Sequence, residues 1–259
     1  MTPPVHILAT CLNEALLDAT LLVFRTLRAG FTSNAATVWL NGLSPAQAAR
    51  VAEAAAQARC ATVPVARRIA HDAWIAGLLD RGSTPFWIAD TDLVFWRPLP
   101  SPPTDAFLAG RYEPPFREPW SKTNCVARLH TSLLYLDPPR IRALVREWAA
   151  RWHPAGFPFQ PQFELIHQHF MPQSGQPPFF YDTCAGLYQA IGGTPFSDEQ
   201  NACFEHLHCG TYSDRIATAL PGLPAVHASV IKATEAARGL SKSQAEYYRL
   251  NPSTSLCPS

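Results

Sequence analysis

Two aspartates separated by one residue follow an apolar stretch in the first half of the chain. Residues 85–89 read Pro-Phe-Trp-Ile-Ala, and Asp90 and Asp92 come directly after them. A short continuous apolar run is typical of a strand that is buried on both faces. Side chains two residues apart on extended backbone point to the same side, so the two carboxylates can share one small volume. Because such a pair is mutually repulsive, it favours a hard divalent cation, Mg²⁺ or Mn²⁺, that carries nucleotide phosphates.

The Asp-x-Asp triplet is also typical of a turn or of a helix cap. The elements around it are therefore needed to choose between a metal site and these structural roles. Strand and helix patterns alternate before it. Strands are predicted over residues 5–10, 36–40, 61–65 and 85–89, and helices over 13–30, 45–59 and 67–81. This alternation predicts an α/β fold with a mostly parallel sheet and helices on both faces. Ligands of such sheets bind beyond the carboxyl ends of the strands, which is where Asp90 and Asp92 fall.

The second half of the chain is less regular. Strands are predicted over residues 106–110, 131–136 and 204–208, and a helix over 138–152. A further short helix is predicted up to Ile191, with Asp182 as its cap. We find no internal repeat and no linker in the sequence, so a single domain over residues 1–259 is expected.

The composition of the 259-residue chain indicates a globular protein. Hydrophobic residues make up 47% and charged residues 16%, which is too apolar for a disordered chain. The formal net charge is +1 and no block of like charges stands out, so nucleic acid is not expected as a partner. The sequence has no apolar run of about 18 residues, so no integral membrane segment is expected.

Cysteine usage and the first residues predict a cytoplasmic location. The seven cysteines stand at scattered spacings without a Cys-x-x-Cys pair, which reduced thiols in the cytosol explain most simply. The segment from Met1 to Val5 has neither the basic region nor the apolar region of a signal peptide.

The segment from Phe86 to Leu99 resembles the Asp-x-Asp segment of GT-A-fold glycosyltransferases, in particular the family-8-like sugar transferases. It reads as an apolar strand, Asp-Thr-Asp, and then Leu-Val-Phe-Trp-Arg-Pro-Leu. Residues 130–137 are similar to a strand that these proteins place next to the acceptor. Residues 205–211, Glu-His-Leu-His-Cys-Gly-Thr, are similar to the histidine-glycine segment that gives the metal a further ligand. The lysine that often follows that segment is absent, since residues 213–215 read Ser-Asp-Arg.

The resemblance implies a GT-A-like, Rossmann-like domain with a nucleotide-binding half over residues 1–100 and an acceptor-binding half over 101–259. It implies that Asp90 and Asp92 bind Mn²⁺ or Mg²⁺ with His208 as a third ligand, and His206 and His227 are alternatives to His208. The residues that it implies for contacts to the nucleotide are Thr10, Asn13, His71, Asp90 and Asp92.

The activity implied by the resemblance is the transfer of a hexose from a nucleoside-diphosphate sugar to an acceptor, which is a saccharide, a lipid or a protein. Neither the donor base nor the sugar follows from the sequence. If the reaction inverts the anomeric carbon, it needs a general base at the acceptor hydroxyl, and Asp182 is the candidate. The alternative role of Asp182 is that of a helix N-cap.

Two other interpretations stay open. In phosphatases of the haloacid-dehalogenase type an apolar strand also ends in Asp-x-Asp, and the first aspartate is a nucleophile. Their motif usually lies near the chain start and is completed by a later Gly-Asp-x-x-x-Asp motif, which this sequence lacks. The second interpretation is a GT-A-like protein that binds sugar nucleotides without turnover, which the missing lysine after Gly210 favours.

Overall fold

The computed structural model describes residues 2–10, 17–18, 20–21, 24–117, 124–152, 161–174 and 176–206. Residues 17–18 and 20–21 are helical. The α-helices with defined bounds are α1 (Leu27–Gly30), α2 (Pro45–Gln57), α3 (His71–Arg81), α4 (Pro138–Trp152), α5 (Pro161–Ile166), α6 (Ala185–Ile191) and α7 (Asp198–Asn201), and a 3₁₀ turn spans Phe24–Thr26. The strands are β1 (Val5–Ala9), β2 (Ala36–Asn41), β3 (Ala61–Val65), β4 (Phe86–Ala89), β5 (Leu93–Phe95), β6 (Leu108–Glu113), β7 (Phe116–Arg117), β8 (Asn124–Cys125), β9 (Arg128–Leu136), β10 (His169–Gln173), β11 (Gln176–Tyr181), β12 (Thr194–Pro195) and β13 (Phe204–His206).

The main sheet of the described residues has seven strands in the order β12-β6-β9-β4-β1-β2-β3. Strand β9 pairs antiparallel with both β4 and β6, so these two strands run in the same direction. The pairs β2–β3 and β6–β12 are parallel. The sheet is therefore mainly parallel and flanked by helices, which confirms the α/β prediction. Among the described residues, every helix is too short or too polar to cross a bilayer.

Two compact units divide the chain, and each is made of several chain segments. Unit 1 comprises Met1–His6, Ile69–Ala89 and Pro100–Glu199, and unit 2 comprises Ile7–Arg68, Asp90–Leu99 and Gln200–Ser259. A four-stranded sheet of order β10-β11-β8-β7 belongs to unit 1, and a two-stranded sheet of β13 and β5 belongs to unit 2. The single domain over residues 1–259 with halves that meet at residue 100 stays a prediction.

Several element boundaries differ from those predicted. The helix predicted from residue 67 begins at His71, because Ala70 still has extended backbone with a ψ of 151°. The helix that Asp182 was predicted to cap begins at Ala185, and Cys184 is its N-cap residue. The strand predicted over residues 106–110 runs over Leu108–Glu113 instead. The start of the helix predicted from residue 13 lies outside the described residues, as does the end of the strand predicted over 204–208.

A close approach between α1 and β5 shapes the core of unit 2. A Cβ atom built on Gly30 would lie 2.2 Å from Cδ1 of Phe95. The Phe95 ring also contacts the rings of Phe31 and Phe204, at centroid distances of 5.2 and 6.1 Å. Glycine at position 30 therefore lets the helix pack directly on the ring that anchors β5, the strand that follows Asp92.

The substitution Gly30→Ala is expected to lower the free energy of unfolding by about 1–3 kcal/mol, the usual cost of forcing an extra methyl group into a packed core. The matched control is Gly77→Ala in α3, where a Cβ would meet only the end of the Arg81 side chain, at 3.2 Å. There the higher helix propensity of alanine contributes about 0.5–1 kcal/mol, so the control is neutral or stabilising. Urea denaturation measures the free energy of unfolding of both variants. Equal values for Gly30→Ala and Gly77→Ala would contradict the close packing of Gly30 on the Phe95 ring.

Candidate metal centre

The Asp-x-Asp pair lies in the turn that immediately precedes β5. All three residues of β5 are buried, whereas Asp90 and Asp92 are partly exposed. The backbone N of Phe95 donates a hydrogen bond to Oγ1 of Thr26 at 3.1 Å, which ties β5 to the 3₁₀ turn. The two carboxylates therefore lie just before the start of an anchored strand and are partly accessible to solvent.

The two-stranded sheet brings His206 beside this turn. Strand β13 pairs antiparallel with β5, and the register aligns Phe204 with Phe95 and His206 with Leu93. Leu93 is the residue directly after Asp92, so the register sets the imidazole next to the second carboxylate.

Two hydrogen bonds extend this sheet beyond the paired residues. The backbone N of Trp96 donates to the carbonyl O of Cys203 at 2.8 Å. The indole Nε1 of Trp96 donates to Oε1 of Glu205 at 3.0 Å. If β13 shifted by one residue along β5, both hydrogen bonds would break and the His206 side chain would turn to the other face of its strand. These two bonds therefore help to fix the register between β5 and β13.

Asp90, Asp92 and His206 form a compact group of possible ligands. One donor atom from each lies within 4.8 Å of the other two. Nε2 of His206 lies 3.1 Å from Oδ1 of Asp92, and the two side chains are 3% and 40% exposed, respectively. Two carboxylates and an imidazole suit a divalent first-row cation. Because Asp92 is open to solvent, such an ion would keep coordination positions for the oxygens of a ligand.

The residues predicted to contact the nucleotide are only partly described. Thr10 follows β1, and its Oγ1 accepts a hydrogen bond of 2.8 Å from Nδ2 of Asn41 at the end of β2. His71 is the first residue of α3, and its ring stacks on Trp74 at a centroid distance of 5.8 Å. Nucleotide contacts by both residues stay predictions. The remaining candidates outside the described residues are Asn13, His208 and His227.

Asp182 lies in a buried polar cluster of unit 1. Its side chain is 5% exposed, and Oδ2 accepts a hydrogen bond from Nη1 of Arg128. Oδ1 accepts from Nε2 of Gln168 at 2.6 Å and from the backbone N of Thr183 at 2.8 Å. Arg128 also bonds Glu113, with 2.8 Å between Nη2 and Oε2. A role for Asp182 at the acceptor hydroxyl stays a prediction, and its carboxylate already has a cationic partner.

The sequence interpretation missed the partners of Asp182. Strand pairing sets Glu113 of β6 directly opposite Arg128 of β9. One signal was present in the sequence, since Arg128 stands shortly before the strand predicted over residues 131–136. A charged side chain at the start of a buried strand requires an opposite charge nearby. Which acidic residue supplies it depends on the strand pairing, which the sequence pattern does not give.

Comparisons with known proteins found similarity only among solved structures. No protein-family model matches the sequence, and no curated protein matches it. The apo structure of the bifunctional glycosyltransferase WbbM is 9% identical, with a TM-score of 0.46, and the match covers 75% of this chain and 38% of that one. The glycosyltransferase GlyE of Streptococcus pneumoniae TIGR4 is 10% identical, with a TM-score of 0.44, over 84% of this chain and 50% of that one.

An active-site mutant of LgtC is 12% identical, with a TM-score of 0.43, and here the match covers 85% of this chain and 95% of that one. The chain thus spans half or less of the length of WbbM and GlyE, which are larger proteins. Glycosyltransferases recur among the solved structures to which the chain is similar.

Proposed function

We propose that the protein is a metal-dependent glycosyltransferase that moves a sugar from a nucleoside-diphosphate sugar to an acceptor hydroxyl. The observation that carries this proposal is the convergence of Asp90, Asp92 and His206, whose donor atoms lie within 4.8 Å of one another. The resemblance of residues 86–99 to the Asp-x-Asp segment of sugar transferases supports the donor class.

The donor set favours Mn²⁺ over Mg²⁺. Mg²⁺ takes almost exclusively oxygen ligands, whereas imidazole nitrogen is a good ligand for first-row transition metals. A bound ion would supply positive charge to the diphosphate leaving group as the bond to the sugar breaks. The chain itself contributes two carboxylates that hold the cation, and a buried imidazole whose position the β5–β13 register fixes.

The acceptor and the location belong to the same proposal. The acceptor carries a hydroxyl group and is a saccharide, a lipid or a protein, as the resemblance implied. The cytoplasmic location predicted from cysteine usage stays a prediction.

Release of nucleoside diphosphate tests the proposed function without knowledge of the acceptor, because water can replace it. Nucleoside-diphosphate sugars with each common base are incubated with the protein, in Mn²⁺ or in excess EDTA. We expect release for one base, dependent on the metal. Binding without release would support the interpretation as a silent sugar-nucleotide protein. Metal-dependent hydrolysis of phosphomonoesters, without any response to sugar nucleotides, would support a phosphatase instead.

A further inference from the structure

The indole of Trp96 and the carboxylate of Glu205 form a hydrogen bond next to the metal-binding group. Nε1 of Trp96 donates to Oε1 of Glu205 at 3.0 Å, although the two residues are 109 positions apart in the chain. Trp96 directly follows β5, and Glu205 is the middle residue of β13. Both residues belong to unit 2, as do Asp90, Asp92 and His206, so the bond and the metal-binding group lie within one compact unit.

The two-stranded sheet that carries His206 is short and needs support from side chains. Strands β5 and β13 have three residues each, and they pair only with each other. An isolated ribbon of two strands is marginally stable at best in water. His206 is the last residue of β13, so side-chain contacts along β13 have to keep it aligned with Leu93 of β5.

Each face of this sheet has one such side-chain contact. Phe204 stands opposite Phe95, and the two rings lie at a centroid distance of 6.1 Å. His206 comes two residues after Phe204 and therefore lies on the same face of β13. Glu205 lies on the other face, diagonal to Trp96, at a spacing that long side chains can bridge between strands. The indole–carboxylate bond therefore holds the second face of β13.

The bond restricts the imidazole because Glu205 and His206 are neighbours in the chain. A hydrogen bond to an ionised group is about twice as strong as one between neutral groups. Nε2 of His206 lies 3.1 Å from Oδ1 of Asp92, and the donor atoms of the metal-binding group lie within 4.8 Å of one another. Holding the side chain of Glu205 in place limits the distance over which His206 can move away from this group.

The position of the imidazole affects the choice of cation. With His206 in place, the donor set is two carboxylates and one nitrogen, which suits a first-row transition metal such as Mn²⁺. When His206 is displaced, Asp90 and Asp92 offer only oxygen, the ligand type that Mg²⁺ takes. Mg²⁺ gains little from an imidazole, so a fixed His206 favours Mn²⁺ selectively.

We propose that Trp96 and Glu205 are positioning residues for His206, and that their hydrogen bond sets the preference of the metal centre for Mn²⁺ over Mg²⁺. The proposal rests on the proposed function, from which it takes the metal centre. Neither residue contacts the metal in this account, and both act through the position of His206. Residues that orient a metal ligand from outside the coordination shell typically change metal affinity by about 10–100-fold.

The test compares the affinities for Mn²⁺ and Mg²⁺ in the full chain, by EPR of free Mn²⁺ and by competition with Mg²⁺. In Trp96→Phe, which removes the N–H group, we expect about 10–100-fold lower Mn²⁺ affinity and nearly unchanged Mg²⁺ affinity. Glu205→Leu has the same effect. Glu205→Gln keeps an oxygen that accepts the bond, and its lost charge acts on both cations alike, so the preference for Mn²⁺ remains. Trp39→Phe in β2 of unit 2 is the matched control and keeps both affinities.

Two further readouts distinguish positioning from a general loss of structure. Pulsed EPR of Trp96→Phe with saturating Mn²⁺ should show weaker histidine nitrogen coupling than the wild type. Trp96→Phe combined with Glu205→Leu should lower Mn²⁺ affinity no more than either change alone, because both remove the same bond. Urea denaturation checks folding, and if Trp96→Phe does not fold, Glu205→Leu at a partly exposed position provides the same test.

An unchanged ratio of Mn²⁺ to Mg²⁺ affinity in Trp96→Phe and Glu205→Leu would overturn the inference and leave the proposed function standing. Additive losses in the double variant would show that the shared bond is not the cause, which also overturns it. A wild type that binds Mn²⁺ with this preference but releases no nucleoside diphosphate would overturn the proposed function and leave the inference standing. A wild type that binds neither cation would overturn both.

Discussion

The substitution Asp92→Asn is expected to weaken metal-dependent nucleotide binding and to slow the release of nucleoside diphosphate by about 10²–10³-fold. Losing the cation that would stabilise the negative charge developing on the diphosphate has an effect of about that size. Asparagine keeps the shape of the side chain and removes its charge. Because Oδ1 of Asp92 lies 3.1 Å from Nε2 of His206, the change weakens the donor set at the point where carboxylate and imidazole meet. Thermal shift with and without Mn²⁺ measures binding, and chromatography of the released nucleotide measures turnover.

The matched control for this prediction is Asp105→Asn, which removes an exposed carboxylate of unit 1 and is expected to leave both readouts unchanged. Denaturation curves check that Asp92→Asn still folds. We expect a free energy of unfolding close to that of the wild type, because the partly exposed Asp92 side chain has little core contact to lose. Wild-type binding and release in Asp92→Asn would show that this carboxylate does not hold the metal.

The substitution Arg128→Met is expected to lower the free energy of unfolding by about 3–5 kcal/mol, because it leaves buried carboxylates without their cation. The side chain of Arg128 is 4% exposed and pairs with both Glu113 and Asp182, which are 12% and 5% exposed. Removing the guanidinium therefore leaves two largely desolvated carboxylates without the cation that pairs with both of them. The melting temperature should fall by roughly 10 °C for a protein of this size.

The control for the buried cluster is Arg50→Met. Arg50 pairs with Asp18 at 2.5 Å, but both side chains are 45% exposed. Solvent-exposed pairs contribute at most about 1 kcal/mol, so this change should be small. Replacing Glu113, Arg128 and Asp182 together by Gln, Met and Asn should recover part of the loss, since no unpaired charge stays buried. If Arg128→Met and Arg50→Met lowered the free energy of unfolding equally, burial would not explain the contribution of the Arg128 ion pairs to stability.

Local signals in the sequence predicted several regular elements of the first half of the chain. Helix α2 begins where Ser44 and Pro45 predicted, because Ser44 and Gln47 form a reciprocal capping box and proline occupies the first helical position. Strand β3 spans Ala61–Val65 as predicted. These elements depend on neighbouring residues, so a pattern read along the chain is enough to find them.

The polar contacts of Asp182 and of Asp72 join residues far apart in the chain, which local patterns do not reveal. Asp182 and Arg128 are 54 positions apart, and His167 and Asp72 are 95 positions apart. The resemblance implied His208 as the third ligand, with His206 and His227 as alternatives, and both His208 and His227 lie outside the described residues. The choice of His206 among the described residues follows from the register between β5 and β13. Side chains alternate between faces along a strand, so only the structure fixes that register.

Pulsed EPR of Mn²⁺ bound together with a nucleoside diphosphate tests the metal assignment most directly, because it detects a nitrogen ligated to the ion. In the wild type we expect histidine nitrogen coupling that is lost in His206→Gln and kept in His208→Gln. Bound Mn²⁺ itself should be lost when Asp90 and Asp92 are both changed to Asn. Coupling that survives in His206→Gln would contradict the assignment of that ligand, and absence of bound Mn²⁺ in the wild type would contradict the metal centre itself.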